Sequence, residues 1–298
     1  MSEKAFIFDI KRDCSEDGPG IRTTVFFKGC PLSCNWCQNP EGKTHDVNLS
    51  FIPNLCKPQD CNVACVPVCE AHCLRFVDKL QVDFSACTRC NNCFTACPTK
   101  ALKPVGYWIS LDELMYQVCI DKPIFSASGG GVTLSGGEAT QQMDFCSVFL
   151  QALKKHNIHT ALETSGFFNY RRFQNLILPY LDIIYFDLKL INEEKAKQNT
   201  GQSNKLIIDN FIKLIQEQNV KVIPRIPLIP GVTDTEENLV GWASFLKQHN
   251  SYDAVLLPYN PLWIDKMAQF GLTPMYQHKK HMSQQDVEKC IYNFQSGM

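Results

Sequence analysis

Three cysteines in the stretch Phe26-Phe27-Lys28-Gly29-Cys30-Pro31-Leu32-Ser33-Cys34-Asn35-Trp36-Cys37 stand four and three residues apart. Such spacings bring three sulfurs to one side of a single backbone turn. Pro31 and Ser33 argue for a loop rather than a regular helix, and the convergence survives that. Three thiolates hold three corners of a cubane iron–sulfur cluster, where a fourth would close it. A metal centre with one open position does chemistry, and a closed one carries electrons or holds the fold. The plainer alternative is a three-cysteine zinc site or three buried thiols. Against it, the cysteines follow an apolar run, Ile21 to Phe27, that reads as a strand. The cluster then sits at the carboxyl end of a first strand, where barrel folds place their active sites.

A second group of thiols follows. From Phe51 the composition shifts, and nine cysteines fall between Cys56 and Cys97, with prolines at 53, 58, 67 and 98. Cys87-x2-Cys90-x2-Cys93-x3-Cys97-Pro98 has the spacing of bacterial ferredoxins, terminal proline included. The first half is irregular: Cys56-x4-Cys61-x3-Cys65-x3-Cys69-x3-Cys73, five cysteines for four places. An internal repeat decides between them. Cys97-Pro-Thr-Lys-Ala101-Leu102 aligns with Cys69-Glu-Ala-His-Cys73-Leu74 at an offset of 28, and Cys93 falls on Cys65. Cys73 then takes the place of Ala101, a small packing position, and Cys56, Cys61, Cys65 and Cys69 are the expected ligands. In two-cluster ferredoxins the fourth cysteine of each run ligates the other cluster. One cluster is therefore expected on Cys56, Cys61, Cys65 and Cys97, and the other on Cys87, Cys90, Cys93 and Cys69. The rival is a pair of zinc knuckles, against which the Cys-Pro ending speaks.

The elements that must position these groups alternate. After Lys103-Pro104 the cysteines thin out. Helical patterns are expected over Leu111 to Ile120, Gln141 to Lys155, Asn204 to Gln218 and Glu236 to His249. Strands are expected over Gly131 to Ser135, Ile158 to Glu163, Leu181 to Leu188, Val220 to Ile226 and Ala254 to Tyr259. Leu181 to Leu188 is a continuous apolar run of the kind buried on both faces of a parallel sheet. With the first strand that makes six, five of them joined to the next through helical patterns. The alternation predicts an α/β fold with a parallel sheet and right-handed crossovers. Six units fall short of a closed eight-fold barrel, so a partial barrel with an open side is expected. The expected segments are 1–50 for the first strand and cluster loop, 51–104 for the ferredoxin-type insertion, and 105–298 for the rest of the barrel.

Composition narrows the class. The 298 residues are 45% hydrophobic, enough for a sizeable core, and carry a net charge of −1. That balance gives no electrostatic case for nucleic acid or an anionic membrane. No run approaches the roughly 20 apolar residues that span a bilayer, and the first residues carry charges where a signal peptide has an apolar run. A cytoplasmic protein is expected, in which sixteen cysteines point to metal rather than disulfides.

At this point a resemblance can be named. CPLSCNWC, with an aromatic before the third cysteine, resembles the cluster loop of radical S-adenosylmethionine (SAM) enzymes. Asp17-Gly-Pro-Gly-Ile-Arg22 before it and Cys37-Gln-Asn-Pro-Glu41 at its end resemble one branch, the activating enzymes of glycyl radical enzymes. The likeness runs from about residue 6 to about residue 260. It implies a partial (β/α)6 barrel of the radical SAM type with an inserted small bacterial-ferredoxin-like domain. It also implies three [4Fe-4S] clusters and SAM. The open cluster on Cys30, Cys34 and Cys37 chelates SAM, and one electron cleaves it to methionine and a 5′-deoxyadenosyl radical. That radical takes a hydrogen from a glycine of a partner enzyme.

The same resemblance assigns the cofactor-binding residues. They are Trp36 and Gln38 in the loop, Gly136, Gly137 and Glu138 after the second strand, Thr164 after the third, and Asp187, Leu188 and Lys189 after the fourth. Arg225 after the fifth strand suits a bidentate carboxylate clamp. Asn260 after the sixth stands where the pattern has a histidine, and it can hydrogen-bond a ribose hydroxyl. Read without the resemblance, Gly136 to Glu138 is a strand–helix turn and Asp187 with Lys189 an ion pair at a strand end. Asp17, Gly18, Gly20 and Arg22 are implied to receive the partner's glycine loop, although by composition they are an entry turn. Ferredoxin or flavodoxin is the implied electron donor, in an anaerobic, monomeric enzyme. The rivals are a radical SAM enzyme acting on a small molecule or RNA, and an iron–sulfur electron carrier without catalysis. Cys14 could reach the open iron, but the family leaves that place to SAM. Cys119, Cys146 and Cys290 read as core, and the seven histidines show no ligand spacing.

Overall fold

Apolar side chains on every strand of a parallel sheet need cover on both faces, and the chain supplies it with helices. The computed structural model describes residues 4–298; the first three residues of the expected 1–50 segment lie outside them. The strands are β1 (Lys4–Cys14), β2 (Arg22–Phe27), β3 (Asn48–Phe51), β4 (Leu74–Phe76), β5 (Leu80–Val82), β6 (Leu102–Val105), β7 (Tyr107–Ser110), β8 (Gly131–Gly136), β9 (His159–Thr164), β10 (Ile183–Asp187), β11 (Lys221–Leu228) and β12 (Val255–Pro258). Eight of them form one sheet in the order β12-β11-β10-β9-β8-β2-β1-β7. From β2 to β12 every neighbouring pair is parallel, and these are the six strands expected from the sequence. The sheet also has an antiparallel flank that the sequence reading left out: β1 pairs antiparallel with both β2 and β7.

Helices Leu111–Cys119, Met143–Lys155, Lys205–Leu214 and Glu236–Gln248 match the expected ones within a few residues. Ser110 opens the first with a reciprocal capping box to Glu113. Asn169, Asn192 and Thr235 cap others by accepting a backbone N–H three residues on. The core between sheet and helices is built on Phe27, Leu134, Phe149, Leu162, Phe173, Phe186 and Phe211, all at most 1% exposed. Among the described residues no helix is long and apolar enough to cross a membrane.

The cysteine-rich segment leaves the sheet after β2 and returns through β7. Strands β3 and β6 carry the chain out and back as an antiparallel pair, Asn48 opposite Val105 and Phe51 opposite Leu102. The excursion thus begins a few residues before the expected boundary at 51. Lys28, wholly buried at the end of β2, ties it to the barrel by donating to the Glu41 carbonyl at 2.7 Å and Asn48 Oδ1 at 2.6 Å. Burial pushes its ammonium down to about 8.

The 28-residue repeat is visible in the backbone. Val63 and Asn91 are both left-handed, as are His72 and Lys100. Val66 donates to the Val63 carbonyl as Phe94 does to Asn91, and His72 to Cys69 as Lys100 does to Cys97. Two turns of the same shape therefore lead into Leu74 and Leu102, which are 2% and 1% exposed.

Gly20 to Arg22 lie against the first residues of β8 and β9, and Asp17 reaches along the sheet to Thr24 and Thr133. Arg22 is fully buried and donates to Thr133 Oγ1 at 2.6 Å, the Val132 carbonyl at 2.8 Å and the Pro19 carbonyl at 3.2 Å. Burial lowers its guanidinium to about 10. Arg22→Met leaves those acceptors without their donor, an expected loss of about 1–3 kcal/mol. A lower urea midpoint at unchanged slope is the readout, and an unchanged midpoint would refute the tie.

Candidate active site

Parallel strands that start together also finish together, so their terminal residues share one edge. At that edge lies a cavity of about 520 Å³, lined by residues of the β2 loop and of the ends of β8, β9, β10, β11 and β12. Cys30, Cys34 and Cys37 form part of its wall, and its remaining lining contains neither a fourth cysteine nor a histidine. Burial pushes the Cys30 thiol up to about 12, with Glu138 acting the same way, and the Cys37 thiol up to about 11. Cys34 is raised by burial as well. Three thiolates in such a place need a cation beside them, and binding one expels their protons. Among the described residues no three His, Cys, Asp or Glu side chains converge on a single-ion position. A multi-iron cluster makes no such demand, because each thiolate takes its own iron.

The loop is held on three sides. Gly29 donates to the Gly42 carbonyl, Cys30 to Lys43, and Glu138 to the Gly29 carbonyl. Gly137 has no room for a side chain: a Cβ there would stand 2.3 Å from the Gly42 carbonyl oxygen and 2.5 Å from that of Gly29. Ser33 and Asn35 donate to the Thr200 and Asn199 carbonyls at the end of helix Glu193–Thr200. Trp36 is 3% exposed and packs with Leu190, Tyr259 and Trp263. Gln38 reaches the Asn260 carbonyl at 3.1 Å, and Asn39 the Gly136 carbonyl at 3.2 Å.

Opposite the cysteines runs a strip of four charges. Asp187 on β10 and Arg225 on β11 are direct neighbours in register. Arg225 meets Asp187 Oδ1 at 3.0 Å and Glu163 Oε1 at 2.5 Å, while Lys189 Nζ lies 3.0 Å from Asp187 Oδ2. Ser135 donates to the other Glu163 oxygen at 2.5 Å. Burial alone would raise the Asp187 carboxyl, but Lys189 and Arg225 hold it below its ordinary range. Burial would likewise lower Lys189 and Arg225, and the facing carboxylates keep both raised.

Most of the expected cofactor residues line this cavity: Trp36, Gln38, Gly136, Gly137, Thr164, Asp187, Lys189, Arg225 and Asn260. Two do not. Glu138 is 1% exposed, and its carboxylate turns into the protein, accepting from Thr140, Thr164 and Ser165 at 2.6–3.4 Å. It has no oxygen left over for an ammonium, so only the glycines of that motif face the cavity. Leu188 is fully buried in the main core, because strand alternation turns it away from Asp187 and Lys189. Arg225 is engaged by two protein carboxylates rather than held free for a ligand.

Of the residues implied for the partner loop, Asp17 reaches the cavity, accepting from Thr24 at 2.5 Å. Arg22 is bonded within the fold, and Gly20 packs on the backbone of Ser128 to Gly130. Gly18 lies on the Arg22 side chain, which a Cβ would meet at 2.8 Å. Glu163 was not among the expected site residues, although it opens the Glu163-Thr-Ser-Gly166 strand end. Cys14 is buried beside Thr24 and Asp17 and does not line the cavity. Cys146 and Cys290 are core, at 2% and 4% exposure.

In the cysteine-rich segment the thiols sort into two groups. Burial, then Cys97, Cys61 and Cys56, raise the Cys65 thiol to about 11. Burial, then Cys87, Cys69 and Cys90, raise that of Cys93 to about 12. Cys73 joins the second group: its sulfur lies 3.3 Å from that of Cys69, and both are buried. Cys69 and Cys97 are instead lowered, because hydrogen bonds outweigh burial. The backbone N–H groups of Ala71, Cys73 and Leu74 surround Cys69, and those of Thr99, Ala101 and Leu102 surround Cys97.

Removing the cation from the charge strip tests its weight. Arg225→Met leaves Glu163 without a cation and Asp187 with Lys189 alone, an expected loss of about 3–5 kcal/mol. Chemical denaturation measures it, and a loss below about 1 kcal/mol would place the strip with exposed ion pairs instead.

The radical SAM superfamily model matches residues 85–243, and a 4Fe-4S single cluster domain model matches residues 16–59, which include Cys30, Cys34 and Cys37. The choline trimethylamine-lyase activating enzyme of Oleidesulfovibrio alaskensis is 37% identical over 99% of this chain and 97% of its own. The 4-hydroxyphenylacetate decarboxylase activating enzyme of Clostridium scatologenes is 35% identical over 97% and 93%. Among solved structures, a radical SAM methyltransferase from Sphaerobacter thermophilus shares the fold, with a TM-score of 0.53 and 14% identity over 97% of this chain and 74% of that one. The long matches to activating enzymes, joined to the three-cysteine loop at the strand ends, show that the chain belongs to the radical SAM superfamily and, within it, to the activating enzymes of glycyl radical enzymes.

Proposed function

We propose that the cavity at the strand ends holds SAM against a [4Fe-4S] cluster on Cys30, Cys34 and Cys37, and that a glycine of a partner enzyme enters beside Asp17. The observation that carries this reading is the wall itself: three cysteines with no fourth protein donor of their kind, facing a strip of paired charges. When bound, the cluster and SAM supply a one-electron cleavage that gives methionine and a 5′-deoxyadenosyl radical able to take hydrogen from glycine. The remaining work belongs to the protein. Gly136 and Gly137 line the cavity with main chain, and their missing Cβ atoms let that main chain pack against Phe27, Gly29 and Gly42. Lys189 offers positive charge to a carboxylate, while Arg225, Asp187 and Glu163 balance one another beside it. Leu257, Tyr259 and Asn260 form the wall at the β12 end, where an adenosine would be flanked by apolar and amide surface.

The cysteine-rich segment, residues 51–104, is proposed to hold two further [4Fe-4S] clusters in a bacterial-ferredoxin-like arrangement, one on Cys56, Cys61, Cys65 and Cys97, the other on Cys69, Cys87, Cys90 and Cys93. The donor set fits: each group is made of thiols alone, and the fourth member of each comes from the other half of the repeat. Electrons from ferredoxin or flavodoxin would enter here, where Cys90 is exposed. Arg89, one residue before it, pairs at 2.8 Å with Asp46, in the stretch that follows the cluster loop. The partner is a glycyl radical enzyme, and the setting is an anaerobic cytoplasm with the activator a monomer.

Iron analysis of the anaerobically reconstituted chain is expected to give about twelve irons, and Cys34→Ala to keep about eight. The variant should form no 5′-deoxyadenosine from SAM and dithionite; if it still does, the catalytic cluster is misassigned. Asp17→Ala should still cleave SAM but lower the glycyl radical yield, read by electron paramagnetic resonance, on the order of tenfold. Equal loss of both products would remove Asp17 from the partner's entrance.

A further inference from the structure

The two halves of the cysteine-rich segment are alike in backbone but differ at all four residues after their fourth cysteines, and two of those differences place a hydrogen-bonding group at the sulfur. Ala71 stands where the other half has Thr99, and Cys73 where it has Ala101. The exchange is reciprocal. Thr99 Oγ1 lies 3.6 Å from Cys97 Sγ, and Cys73 Sγ lies 3.3 Å from Cys69 Sγ. Each fourth cysteine thus has one side-chain hydrogen-bonding group at its sulfur, delivered from a different rung of the same turn. Around each, the three backbone N–H groups at matching positions are common to both halves.

A sulfur bound to iron has no proton to give. If Cys69 and Cys97 are ligands, the donors must be the Cys73 thiol and the Thr99 hydroxyl. Cys73 shares a pocket with Cys69, Cys87, Cys90 and Cys93, and it is the register of the repeat that sets it apart from the ligands. It occupies the packing position of Ala101, 5% exposed against 1%, while Cys69 holds the caged position of Cys97. The fold of the turn sets the contact: His72 adopts φ 49° and donates to the Cys69 carbonyl, which swings residue 73 back over residue 69. Hydrogen bonds to ligand sulfurs draw negative charge from them and favour the reduced cluster.

We propose that Cys73 and Thr99 are positioning residues that donate to the ligating sulfurs of Cys69 and Cys97 and so set the reduction potentials of the two clusters in this segment. The inference rests on the two-cluster reading above. It makes Cys73 neither a spare ligand nor a passive filler. The cluster it tunes lies in the group that contains Cys90, whose neighbour Arg89 touches the stretch beside the catalytic loop.

The test uses the full chain with Cys30, Cys34 and Cys37 changed to alanine, so that only the segment's clusters remain. Potentiometric titration followed by electron paramagnetic resonance should show two reductions in a protein with about eight irons. Adding Cys73→Ala should keep that iron and move one of the two reductions to a more negative potential. Thr99→Ala should move the other, and Cys73→Ser, which restores a donor, should recover most of the shift. Loss of about four irons on Cys73→Ala would make Cys73 a ligand and overturn the proposal. Two unmoved potentials would reduce both side chains to packing and overturn it too. A parent protein without iron would refute the two-cluster reading itself, and this inference with it.

Discussion

Four charged side chains share the cavity floor, and none can stand there alone. Arg225 is held between Glu163 and Asp187, and Lys189 takes the second oxygen of Asp187. The cost of desolvating each is offset only by the others, so removing one strands its neighbours. Because the four come from the ends of β9, β10 and β11 and the residues just beyond, the network also fixes how those ends sit relative to one another. Register does the rest: Asp187 lies directly across from Arg225, and Glu163 from Tyr185, over whose ring the guanidinium stands at 5.1 Å. The geometry of the ligand site is therefore a property of the sheet.

The cysteine loop faces this floor but is fastened separately. Its backbone is tied to Gly42, Lys43 and Glu138 on one side and to helix Glu193–Thr200 on the other. Glu138 accepts from N–H and hydroxyl groups of three residues, Thr140 just after β8 and Thr164 and Ser165 at the end of β9, and so acts as a clamp between two strand ends. A negative charge there would be hard to bury without those donors. The arrangement separates two tasks: paired charges fix the cavity floor, and backbone hydrogen bonds fix the cysteine loop.

Much of this could be read from the residues. The three-cysteine spacing, the six parallel strands and the 28-residue repeat are local patterns, and local patterns survive into the fold. What escaped depended on partners far off in the chain. Glu138 follows two glycines, as a ligand-binding carboxylate does, but with Thr140 the distant Thr164 and Ser165, 26 and 27 residues on, turn it inward. Leu188 sits between two cavity residues, and the pleat sends it to the core. Arg22 belongs to a motif that reads as a surface, yet its guanidinium is spent on Thr133 and Val132. β1 was missed because its charged second half, Lys11 to Asp13, hides the alternation of its first. Glu163 carried a signal that went unused: it is the last residue but one of a strand whose neighbour, Thr164, was singled out.

The three glycines at the root of the loop set how closely its main chain can pack. Gly29, Gly42 and Gly137 bring three stretches of main chain into contact that a single methyl group would pry apart. The Gly29 amide donates to the Gly42 carbonyl, the Gly137 amide to Phe27 and the Glu138 amide to Gly29, so the corner is closed by main chain alone. A bulkier residue at Gly137 would therefore displace the cysteine loop through its main chain, with no thiol altered.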